Sequence, residues 1–190
     1  MTYANKFIKS KGQNCTIERS VPLNTKVSIK RSTNGTRDLG AREALWQGLI
    51  PIEDNLQSGE YLSIKGKKYL VQTVSYDHAS KETAFYCAKC NATIEHKRYI
   101  DDVDENFNPI QEWKTLNSDV GSYMEVVTYR LRQVDPGLLD STKYTFDVSK
   151  DLGVELLDRF VFNGENLKID SIAPVLDGVV RLQASVDVRE

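Results

Sequence analysis

Residues 60–74 read EYLSIKGKKYLVQTV, and residues 158–172 read DRFVFNGENLKIDSI. The two stretches share a pattern more than letters. An acid opens each (Glu60, Asp158), and apolar residues follow at alternate positions: Leu62 and Ile64, Phe160 and Phe162. A two-residue corner with glycine second comes next, Lys65-Gly66 and Asn163-Gly164. Alternation resumes at Tyr69 and Val71, and at Leu167 and Ile169. A period of two puts every second side chain on one face, as in a half-buried strand. Asn-Gly between such runs signals a hairpin, because a type I′ turn needs positive φ at both central residues. Lys65-Gly66 is the weaker signal, since lysine resists left-handed geometry. Each stretch is expected to be a hairpin, and the pair raises the question of two related β-units in tandem.

The flanking sequence repeats the order. In the first half, strands are expected over CTIERSV and TKVSIKRS, followed by a long excursion, 32–57, before the hairpin and a strand pair in TAFYCAKCNATIEHKRYI. In the second, MEVVTYRLRQV reads as a strand, DPGLLD as a turn, KYTFDV as a strand, then the hairpin and a final strand, VVRLQASVDV. Tyr3, Ala4, Phe7 and Ile8 recur at helical spacing before Gly12. The expected fold is therefore mainly β: two small β-barrel or sandwich units in tandem, a possible duplication, with a short N-terminal helix. The expected division is a helix over 1–14, a first β-unit over 15–115 carrying the long loop 32–57, and a second over 120–190, with 112–123 as the bridge.

A chain of 190 residues, 40% hydrophobic and 27% charged, has the composition of an ordinary globular protein. It contains no apolar run near the roughly 18 residues of a membrane span, and its start, MTYANKFIKSKGQNC, lacks the apolar core of an export signal. Three cysteines, an odd number, suit a reducing compartment better than a disulfide scaffold. Charge is unevenly spread. Up to Arg42 there are nine Lys/Arg against two acids, near +7, so with a total of −2 the remaining 148 residues are near −9. Such polarity suits head-to-tail contacts or proximity to a polyanion, although a solvated basic face has the same composition.

Chemistry-bearing motifs are few. Cys87-Ala88-Lys89-Cys90 has the spacing of a zinc clip, but only His78, His96 and Cys15 could complete it, and residues three apart on a strand face opposite ways. Structural thiols are the favoured reading. The acids Asp101, Asp102, Asp104 and Glu105 read first as a solvated turn. The chain has no GxSxG, HExxH or phosphate-cradling glycine loop. An oligonucleotide-binding barrel would need exposed aromatic and basic residues interleaved, for which Tyr129, Arg130 and Arg132 make a slender case. Tyr144 and Phe146 read as core.

GQNCTIERS, TKVSIKRS, LQSGEYLSIKGKKYLVQTVSYD, AFYCAKCNATIEHKR and a later EW, then VTYRLRQVDPGLLDSTKY, DRFVFNGENLKIDSI and DGVVRLQASVDVR, cover the larger part of the chain. Together they resemble the head-tail connector proteins of long-tailed bacteriophages, of the head-closure, head-completion or stopper type. The ending, 158–189, is the most specific part, and CNATI the next. The resemblance implies a small β-barrel or sandwich subunit in a ring of six or twelve copies, below a portal or adaptor ring and above the tail terminator or tube. It implies contact with packaged double-stranded DNA in the channel, no enzyme activity, no cofactor and no membrane, and a place in the virion after assembly in the host cytoplasm. Many such proteins are little more than half this length. A tail-completion or tail-hub protein could share the same motifs.

A stopper needs a segment that reaches the channel axis, and 32–57 has the length and the glycines for it. Lys30, Arg31, Arg37 and Arg42 are the candidate DNA-proximal residues. Leu45, Trp46, Leu49 and Ile50 are the candidate contacts with neighbouring copies or an adjoining ring; the other possibility is that they fold back onto their own barrel.

Overall fold

The structure, a computed structural model, describes residues 3–32, 44–103 and 109–189. It is mainly β. A helix of about two and a half turns, α1 (Tyr3–Lys11), precedes two closed six-stranded antiparallel barrels in tandem. The first barrel uses β1 (Gln13–Glu18), β2 (Leu23–Arg31), β3 (Leu45–Pro51), β4 (Tyr61–Ile64), β5 (Lys67–Asp77) and β6 (Glu82–Lys89). The second uses β7 (Ala92–Val103), β8 (Pro109–Val126), β9 (Tyr144–Ser149), β10 (Arg159–Phe162), β11 (Glu165–Leu176) and β12 (Val179–Val186). Around the first barrel the order is 1-2-3-6-5-4, and around the second 7-8-9-12-11-10, which is the same order one repeat later. Closure leaves neither sheet a free edge inside its barrel.

The two opening stretches are equivalent hairpins, β4–β5 and β10–β11. Lys65 and Gly66 sit at φ 50° and 72°, Asn163 and Gly164 at 50° and 79°, so both corners have the positive φ pair of a type I′ turn. The equivalence is detailed. Each hairpin follows a 3-10 turn (Ile52–Asp54, Lys150–Leu152) ended by a left-handed residue, Asn55 or Gly153. Both long strands carry a register shift at the same place, between Val71 and Thr73 and between Ile169 and Ser171. All these pairs are 98 positions apart, from Ile52 and Lys150 to Thr73 and Ser171.

Each barrel has its own core. Ile17, Val27, Ile50, Leu62, Val71 and Phe85 fill the first; Ile94, Phe146, Phe160, Leu167, Ile169 and Leu182 fill the second. Volume is exchanged between strands rather than conserved by position. Gly48 on β3 faces Phe85 on β6, and a Cβ there would lie 2.5 Å from the ring. The equivalent pair in the second barrel is Phe146 and Leu182, so the larger ring comes from the other strand.

Several expected elements fall elsewhere. The boundary between units is at Cys90-Asn91, not near residue 115, and 112–123 is not a bridge but the interior of β8. TAFYCAKCNATIEHKRYI is not a strand pair: β6 belongs to the first barrel, between β3 and β5, and β7 to the second, between β8 and β10, and the two do not pair with each other. MEVVTYRLRQV divides at Val126, and Tyr129–Val134 forms helix α2, capped by the Thr128 hydroxyl accepting from the Leu131 N–H at 3.3 Å. The long excursion is shorter than expected, because 45–51 is strand β3. Beyond Arg98, β7 and β8 pair only with each other and project from the second barrel as a two-stranded ribbon. No helix of the described residues is long and apolar enough to cross a membrane.

Candidate functional site: a basic face and an apolar corner

On β2 the residues alternate. Val27 points into the first barrel and Lys26, Ser28 and Lys30 point outward. Exposed Lys9 and Lys11 end α1 beside this strand, and the Lys65-Gly66 corner brings Lys65 and Lys67 to the same barrel's surface. A cleft of about 720 Å³ between these elements is lined by Lys9, Lys26 and Lys65 with Asn14, Thr16, Asn24 and Ser63, and by no carboxylate. Lys9 pairs with Glu53 at 2.5 Å. Among the described residues no acid pairs with Lys26, Lys30, Lys65 or Lys67. Carboxylates stand close by, since Glu18 accepts from Ser63 and Asp54 from Thr25, but lysine heads that none of them pairs attract anions through long-range field more than through fixed contacts.

The expected site residues are divided by the fold. Lys30 and Arg31 are exposed on β2, and the Arg31 guanidinium lies 5.9 Å from the centre of the Trp46 ring. Arg37 and Arg42 lie outside the described residues. Leu45, Trp46, Leu49 and Ile50 belong to β3 instead of a loop. Ile50 is fully buried in the first core, and Trp46 packs against it, edge-on to Tyr69 at 5.6 Å. The period of two therefore turns these two toward the core, Ile50 wholly and Trp46 in part; Leu45 and Leu49 lie half-buried on the outer side.

The opening acids serve a brace repeated in both barrels. Glu60 takes the Arg19 guanidinium on both carboxylate oxygens, and Arg19 also donates to the carbonyls of Asp54 and Asn55. Asp158 takes Arg98 in the same bidentate way at 2.8 Å, and Arg98 donates to the Gly153 carbonyl at 2.8 Å. The second barrel adds a buried histidine where the first has Ile17. His96 Nε2 lies 2.8 Å from Asp158 Oδ2, and since a carboxylate only accepts, that nitrogen carries the proton. Burial would raise the Asp158 pKa, but hydrogen bonds from Arg98, His96 and the Glu155 N–H outweigh it and hold the carboxyl well below its ordinary range. With His96 fully buried and Asp158 nearly so, this set anchors the corner and offers no face to a substrate. The acids were visible as the openers of two hairpins. Their arginine partners, 41 and 60 positions upstream, carried no local signal.

The corner that this brace holds, Leu156-Leu157, borders a cleft of about 510 Å³ with Tyr99, Trp113 and Arg189. The Trp113 ring carries the Arg159 guanidinium at 3.7 Å and that of Arg189 at 5.0 Å, with Tyr99 edge-on at 5.4 Å. Asp187 binds both arginines. Burial opposes its charge, but the hydrogen bonds from Arg189 and Arg159 prevail and hold its pKa low. Thus the closing Asp-Val-Arg of the sequence ties the C-terminus to the projecting ribbon. Trp, Tyr and Arg around an exposed leucine pair are the residue types that dominate protein–protein contacts.

Burial pushes the thiols of Cys15 and Cys90 up to about 12, and that of Cys87 higher still. Among the described residues no group of three or more His, Cys, Asp or Glu could hold a metal ion. No family model matches the chain, and no curated protein matches it.

Proposed function

We propose that the chain is a structural subunit of the connector between the head and the tail of a long-tailed bacteriophage. In this reading it forms a homo-oligomeric ring that closes the DNA channel below the portal or adaptor and gives the tail terminator or tube a surface to attach to. The observation that carries the reading is the series of segments, ending in DGVVRLQASVDVR, that resembles head-closure proteins. Two tandem barrels are consistent with the small β-subunits such rings use. A face carrying several lysines that no acid pairs among the described residues suits a wall passed by DNA, since phosphate contacts hold a duplex without reading its sequence. The residues assigned to that wall are Lys26, Lys30, Arg31 and Lys65.

The test is localisation. Antibody against the chain should label the vertex between head and tail in particles made by the strain that encodes it. Loss of the chain should leave tail-less heads that have released their DNA. Particles that contain no copy would overturn the reading. Label at the far end of the tail would move the chain to a tail-hub role, and tight, salt-sensitive binding of single strands by a chain absent from particles would make it an oligonucleotide-binding module.

A further inference from the structure

The chain carries its own example of a barrel-to-barrel joint. After the 3-10 turn of the first barrel, the corner Ser58-Gly59 packs on the turn Asp177-Gly178 of the second. The backbones approach so closely that a Cβ on Gly59 would overlap the Gly178 carbonyl, and one on Gly178 would overlap the Ser58 carbonyl. Beside them the Tyr61 hydroxyl accepts from the Ser149 N–H at 3.3 Å. One repeat later, the equivalent corner of the second barrel is Leu156-Leu157, which no barrel covers among the described residues.

At this corner the chain departs from its own repeat. Ser-Gly becomes Leu-Leu, and the side chains are 60% and 58% exposed. Leu157 is held at φ 70°, where its equivalent Gly59 has φ 88°. Water disfavours the leucine side chain and left-handed geometry disfavours its Cβ. Polar residues or glycine would satisfy both conditions if the corner stayed open, so the pair fits a corner that is covered in the assembled state.

The first barrel has the matching half. Its β5–β6 turn, residues 78–81, is equivalent to Asp177-Gly178. The Ile52 N–H donates to the Lys81 carbonyl at 3.3 Å as the Lys150 N–H donates to that of Gly178 at 2.9 Å, and both turn residues have positive φ. Among the described residues no other barrel packs on this turn. Glu155, 68% exposed beside the leucine corner, is held by Arg98 at 2.7 Å within the chain, and Lys81 lies exposed on the turn. We propose that the Leu156-Leu157 corner of the second barrel docks on the 78–81 turn of the first barrel of another copy, head to tail. The joint repeats the internal one in position but not in depth. Leu157 and Lys81 stand where the two glycines touch, so side chains fill the space that backbone closes within the chain. Such a contact uses two different patches and extends from copy to copy. It rests on the ring reading only for the closure of the series.

Sedimentation of the purified full chain over a concentration series tests it. The wild type should self-associate. The variant L156S/L157G, which restores the Ser-Gly of the first barrel, should remain folded and associate about tenfold more weakly or less, as loss of a central contact side chain does. In a Cys90→Ser background, L157C mixed with K81C should give a disulfide-linked dimer on mild oxidation, and neither alone should. A wild type that stays monomeric, a variant that associates unchanged, or L157C linking to itself would overturn the proposal. These measurements need no phage particle, so absence of the chain from particles would sink the connector reading and leave the joint standing.

Discussion

Leu157 is unfavourable twice over in the free chain, once through its backbone and once through its exposed side chain. The backbone half can be isolated. L157G should stabilise the monomer by about 0.5–1 kcal/mol, because relief of left-handed strain exceeds the entropy that glycine adds to the unfolded chain. Urea midpoints at unchanged m would show it, and a loss of stability would mean that the leucine packs more than it strains. Asp158, one residue on, has the opposite role. D158N takes the carboxylate from buried His96 and leaves Arg98 only the exposed Glu155 as charge partner, and should cost about 3 kcal/mol at neutral pH. The pH dependence follows from the sign of its shift. A carboxyl whose folded pKa is depressed contributes stability that is complete above its unfolded pKa, about 3.9, and lost as pH falls toward the folded value. The gap between wild type and D158N, followed by acid titration of the circular dichroism signal, should therefore hold from neutral pH to about 5 and shrink below about 4. A gap constant to pH 2 would assign the brace to shape instead of charge.

At the scale of elements, the joint between barrels is made of glycines, and that has a consequence. G178A places a methyl group in the Ser58 carbonyl at a residue whose φ is 81°, so both the contact and the turn oppose it. The barrels themselves have separate cores and closed sheets, so the variant should lose coupling before it loses fold. Calorimetry should resolve two transitions where the wild type shows one, and a single unshifted transition would mean that the joint contributes nothing. The hairpins on either side of this joint were legible in sequence, because alternation and a glycine corner are local signals of a local pairing. The barrel boundary was not. Lys89 ends β6 and Ala92 begins β7, so two strands run on with one short link and no turn glycine, and what separates them is that β6 pairs only upstream, with β3 and β5, and β7 only downstream, with β8 and β10. Helix α2 was hidden for another reason: Tyr129 to Val134 alternates like a strand, and the cap at Thr128 decides the matter. Of the candidate site, Lys30 and Arg31 were legible as a basic run, while Lys26 and Lys65 join them only once β2 and the β4–β5 corner meet on one barrel.

For the whole molecule, the sign of the charge depends on where it is met. The chain totals −2, and the part after Arg42 is near −9, so a polyanion is repelled by most of the surface. Attraction is confined to the first barrel, where the lysine cleft has no lining acid. Two features of DNA binding follow. Affinity should be low and indifferent to sequence, in the range of about 10⁻⁴ to 10⁻⁶ M at physiological salt, since lysines contact phosphates as point charges and read no base edges. It should also fall with salt in proportion to the number of phosphates neutralised, with a logarithmic slope of about −0.9 for each. K26Q/K65Q removes two of these charges without touching either core, since both side chains lie on the outer surface. Fluorescence anisotropy of a labelled duplex titrated across a salt series should then give a slope smaller by about 2. The change K114Q, on the ribbon of the second barrel, should leave the slope where it was. Equal effects from the two variants would spread the attraction over the whole chain, and the first barrel would lose its claim to face the DNA.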